Sequence, residues 1–134
     1  MVSKPSARGF SRSHCCTRSS SSPEVSLPAV GQGALGIEAR SDDARVLGVL
    51  AALHDLETAV CVAAERGVMA ALGGDCKTPL GAHATHVSDE MELGAFVAAP
   101  DGSRLRRARE RTAWPGSEAH AEAFGREVGG KLLS

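Results

Sequence analysis

Two adjacent glycines, Gly73 and Gly74, divide this chain into two kinds of sequence. Ahead of them, apolar residues recur at helical spacing. From Glu57 to Leu72, the residues Cys61, Ala64, Val68 and Leu72 fall on one stripe, which predicts a helix. Gly73-Gly74 stops that helix by accepting left-handed backbone. Asp75-Cys76-Lys77-Thr78-Pro79 is then a loop, because Pro79 has no N–H to give a sheet ladder. Three strand-like runs follow at 81–87, 91–98 and 103–110, separated by Ser88-Asp89-Glu90 and by the turn signal Pro100-Asp101-Gly102. Short turns between successive strands imply an antiparallel meander. Trp114-Pro115-Gly116 breaks it, Ser117 caps a last helix, and Ala121, Phe124, Val128 and Leu132 form that helix's apolar stripe.

Upstream the character changes twice. Residues 1–24 are basic, Ser-rich and low in complexity, and read as disordered. They lack the apolar core of a secretory signal, and only loosely fit a transit peptide. Residues 25–40 read as a loop leading into a short buried strand over 34–39, and residues 1–40 are expected to be poorly anchored. Ser41-Asp42 is expected to cap a helix carrying Val46, Val49, Leu50 and Leu53. The fold expected is α+β: a three-stranded antiparallel sheet with helices packed on one face, preceded by a remnant strand of an α/β domain. The domains expected are a low-complexity start at 1–24, a loop-and-strand remnant at 25–40 and one domain at 41–134.

Composition narrows the function. Net charge is −1, which points to neither nucleic acid nor a membrane surface, and no run reaches the roughly 18 apolar residues of a membrane span. Aromatics make up 3%, so the core must be built from Ala, Val and Leu. Four irregularly spaced cysteines argue for a reduced, cytoplasmic setting rather than a disulfide framework. Cys61 occupies a small core position and is expected to be buried and inert. Glu65 and Arg66 lie off the apolar stripe, either as a solvated pair or as an ion pair holding the loop beyond.

Cys76 stands apart on its Gly-flanked loop. As a metal ligand it would need His83 and His86, whose spacing places them on opposite faces of a strand. As a redox thiol it lacks a C-x-x-C partner. As a nucleophile or attachment point it has Lys77 favouring the thiolate and Asp75 opposing it. An incidental loop cysteine is the plain alternative. Along the last strand, alternation places Arg104 and Arg106 on one face and Arg107, Arg109 and Arg111 on the other. They read as a solvated edge or as a site for a carboxylate-rich ligand.

Three stretches together carry a resemblance: LPAVGQGALGIEAR (27–40), ETAVCVAAERGVMAAL (57–72) and GGDCKTPLGAHA (73–84). They resemble the C-terminal part of the porphobilinogen deaminase (hydroxymethylbilane synthase) family, over about residues 23–134. That family's usual Leu-Glu-Gly-Gly-Cys here has Gly73 for the Glu and Asp75 for a Gly, changes that spare the thiol.

The resemblance implies a transferase of tetrapyrrole, and hence heme, biosynthesis. Its loop cysteine, here Cys76, would be joined by a thioether to a dipyrromethane cofactor, onto which four porphobilinogen units condense with release of ammonia. A soft thiolate suits the electrophilic methylene left when ammonia departs. Gln32 is carried over as facing the cofactor cleft. The partners implied are porphobilinogen, the growing polypyrrole and a separately encoded N-terminal half. The family's catalytic aspartate and carboxylate-binding arginines belong to domains ahead of this region, so the chain alone is expected to lack turnover. The alternative is a non-catalytic binding or scaffold domain on the same fold.

Overall fold

The computed structural model describes residues 26–74 and 78–134. Helix α1 spans Ala44–Ala51 and α2 spans Leu56–Ala71. The strands β1 (Leu80–Val87), β2 (Glu90–Val97) and β3 (Arg106–Ala113) precede α3 (Glu118–Leu133). The strands form one antiparallel sheet in the order β1-β2-β3, with Ala82, Ala95 and Ala108 in register across it. This is the α+β arrangement expected from the sequence.

Local chemistry sets the element ends. Asp55 caps α2 by accepting the Thr58 N–H at 2.7 Å. At the other end Gly73 takes φ +60°, and Gly73 and Gly74 donate back to the carbonyls of Ala70 and Met69, a Schellman closure. Ser117 caps α3, while Arg106 donates to the Leu132 carbonyl in its last turn at 3.0 Å.

Helices α2 and α3 share one face of the sheet, and their contact explains a core without large aromatics. A β-carbon at Gly125 would strike the carbonyl oxygen of Ala64, and one at Gly129 would meet Val68 and Ala71. One at Gly67 would strike the carbonyl oxygen of Glu122. The two backbones therefore touch, and Val60, Val68, Val128, Met91 and Leu93 fill the space between helices and sheet. Cys61 is buried there, as its stripe position requires.

Four expectations are corrected. Residues 34–39 form no strand: Leu35 is 95% exposed and Ile37 is 60% exposed, because the described residues offer this run no neighbouring strand. Asp43, rather than Ser41 or Asp42, caps α1 by accepting from Val46. Strand β3 starts at Arg106 instead of 103, because Ser103 closes the turn onto Ala99 and Asp101, and Arg104 sits at φ +52°. Residues 27–33 are well anchored. Leu27 packs over Gly94, the Pro28 carbonyl lies over Gly81, and Val30 reaches the core. This strap crosses the sheet face opposite the helices, and it needs both glycines to lie flat.

The low-complexity reading of residues 1–24 falls outside the described residues. Among those described, no single helix is long and apolar enough to cross a membrane.

Gly125→Ala is expected to cost about 2–4 kcal/mol, since the new methyl meets backbone that cannot swing aside. Gly130→Ala, in open space on the same helix, is expected to gain about 0.5–1 kcal/mol. Urea unfolding of the two variants checks both signs.

Candidate functional site: the frame of the cysteine loop

Cys76, with Asp75 and Lys77, lies outside the described residues, but both ends of its loop are defined. One end leaves the Schellman closure at Gly74, which abuts the side chains of Leu80 and Met69. The other enters through Thr78 and Pro79: Leu80 donates to the Thr78 carbonyl at 2.8 Å, and Ala98 donates to the Pro79 carbonyl at 2.9 Å. The β1–β2 ladder is thus extended up to the loop. A three-residue excursion is held at its base by backbone bonds and apolar contact.

Farther along α2 and β1 lies a group the helical stripe did not single out. Glu65 is 5% exposed, so neither a solvated pair nor an ion pair with Arg66 describes it. Its Oε1 accepts the Ala84 N–H at 3.0 Å and its Oε2 accepts the Gly31 N–H at 2.7 Å. His83 Nδ1 stands 3.6 Å from Oε1. Burying a carboxylate is costly unless its oxygens are met, and here both are. A usable signal was present: Glu65 is four residues after Cys61 and three before Val68, at the rim of the buried stripe.

Gln32 lies on the strap's turn and is exposed. Its N–H donates to the Ala29 carbonyl at 3.0 Å, and its side-chain oxygen accepts the Ala29 N–H at 3.1 Å. Gly31, at φ +70°, occupies the position of this turn that requires a left-handed backbone.

The two strand histidines diverge as alternation requires. His83 turns to Glu65, whereas His86 stacks on Trp114 with ring centroids 3.9 Å apart and lies 3.5 Å from Glu57. Among the described residues no group of three or more His, Cys, Asp or Glu is placed to hold a metal ion.

The arginine row is partly spent on structure. Arg109 and Arg111 both bond to Glu92 on the face away from the helices, with Arg111 Nε at 2.7 Å. The hydrogen bond from Arg109 lowers the Glu92 pKa from its ordinary value. Desolvation opposes this and Arg111 adds to it. Ionised Glu92 is therefore favoured by folding. Its stabilisation is complete above the ordinary carboxylate pKa of about 4.3, and it fades as pH falls through and below that value. Between pH 5 and about pH 3, the urea midpoint of the wild type is expected to fall further than that of Glu92→Gln.

The fold and loop define a helix-backed, three-stranded domain built around a short cysteine loop. Residues 59–134 match the family model described as porphobilinogen deaminase, C-terminal domain. Residues 6–48 match the one described as porphobilinogen deaminase, dipyromethane cofactor binding domain. The chain is 55% identical over 111 residues to the porphobilinogen deaminase of Sorangium cellulosum, covering 83% of this chain and 37% of that protein. It is 49% identical over 113 residues to that of Thiobacillus denitrificans, covering 84% and 36% respectively. The chain belongs to the porphobilinogen deaminase family, whose named members are transferases of porphyrin biosynthesis. It spans somewhat over a third of the length of these relatives.

Proposed function

We propose that this chain is the cofactor-tethering portion of a porphobilinogen deaminase, acting in tetrapyrrole biosynthesis with Cys76 as the attachment point. The observation that carries the reading is the loop base, which is closed on both sides of a three-residue span containing a single cysteine. That frame fits a tether. Its ends are fixed, its span is short, and the contacts at its base are apolar or backbone. A dipyrromethane held there would supply the pyrrole terminus onto which porphobilinogen units add. Cys76 would hold that group through a thioether, its sulfur supplying the nucleophile. Gln32, exposed on the strap's turn, is proposed to face the same cleft.

The domain division proposed remains a remnant at 25–40 followed by the cysteine domain at 41–134, in a cytoplasmic setting. The partner proposed is the remaining part of a deaminase, beyond the third or so of the relatives' length that this chain spans. Residues 34–55 favour this reading. No residue of α1 is buried, α1 touches no other helix or strand among the described residues, and Leu35, Ile37, Val49 and Leu53 are all exposed. Stabilising a polymer of carboxylate-bearing pyrroles calls for preorganised cations and an acid–base group, which that partner would bring.

Intact-mass measurement on protein made in a porphyrin-producing host tests the tether. An adduct of two pyrrole units, absent from Cys76→Ala, is expected. Unmodified protein from a host whose own deaminase is loaded would favour the scaffold reading. Given porphobilinogen, the purified chain alone is expected to yield no uroporphyrin after oxidation. Adding the N-terminal portion of a deaminase is expected to restore it.

A further inference from the structure

We infer that Glu65 is a clasp joining the strap at residues 27–33 to the free edge of the sheet, and that it closes the base of the projecting arm at residues 34–55. The inference does not depend on what Cys76 carries.

Among the described residues, strand β1 lies at an edge of the sheet, and the Ala84 N–H has no neighbouring strand on that side. Glu65, rising from α2, supplies the missing acceptor with one oxygen. Its second oxygen takes the N–H of Gly31, 34 residues earlier in the chain. Gly31 presents that N–H because the 29–32 turn places it at φ +70°. One carboxylate therefore binds helix, strand and strap together.

The chain between strap and helix then has nowhere to settle. Residues 34–55 leave the body just after the clasp and return at the Asp55 cap of α2. In between, Arg40 forks onto Asp42 within the arm, and Leu35, Ile37, Leu47, Val49 and Leu53 are exposed. The arm is a closed excursion with both feet on the body. Packing of the Leu27 side chain and the Pro28 carbonyl over Gly94 and Gly81, with Val30 against the core, steers the strap across the sheet. The carboxylate is what fixes its end.

Amide exchange followed by NMR on the whole chain tests this. In the wild type, the Gly31 and Ala84 amides are expected to be protected. Glu65→Ala is expected to speed both by about tenfold, the worth of one lost hydrogen bond. Leu93 and Ala95 in the central strand should keep their rates, which shows that the domain remains folded. Glu65→Gln, nearly the same shape, keeps one acceptor oxygen and should release one of the two amides. His83→Ala should release neither. Wild-type exchange at Gly31 in both Glu65 variants would overturn the clasp, as would equal release by His83→Ala.

Discussion

The contact that everything else rests on is backbone against backbone. Where α3 crosses α2, the carbonyl oxygen of Ala64 occupies the space a side chain on residue 125 would need. Three glycines, at 67, 125 and 129, allow this approach. With the helices so close, valines, alanines, one methionine, two leucines and Cys61 make up the buried interior. A chain with 3% aromatic residues has few large side chains with which to fill a wider gap. Thin layers are its solution: the volume is removed rather than filled.

That close pairing also explains how the loop frame is held. Because α2 is fixed along its length, the Schellman closure at its end starts the Cys76 loop from a defined point. The β1–β2 ladder defines the return. Glu65 then works from the same helix, and its two oxygens lock β1 and the strap to it. A buried carboxylate earns its place by what it connects: without its partners it would be an uncompensated charge.

Much of the fold was legible because its signals are local. The Cys61–Leu72 stripe, the Gly73 stop and the Ala121–Leu132 stripe each declare an element within one stretch of sequence. The Cys61 burial followed from spacing alone. What was less legible depends on distant partners. Nothing near Leu35 and Ile37 tells that no strand will meet them, and the β3 start was hidden by a turn that draws in Ser103 and Arg104. Glu65 was missed because a carboxylate is read as solvent-facing until the acceptor-hungry N–H groups of Gly31 and Ala84 arrive from either side. The candidate site divides the same way. The cysteine and its flanking glycines are plain in the sequence, whereas the frame closing beneath them is a tertiary property.

The stack of His86 on Trp114 has a practical consequence. The chain contains one tryptophan, so its ultraviolet emission comes from one address. That address is the far end of the sheet, where the rim of β1, the exit from β3 and Glu57 in the first turn of α2 converge. Parting those three elements would move an imidazole off the indole and change the light it gives. The protein thus carries its own optical gauge of whether helix and sheet remain in contact, at the end opposite the cysteine loop.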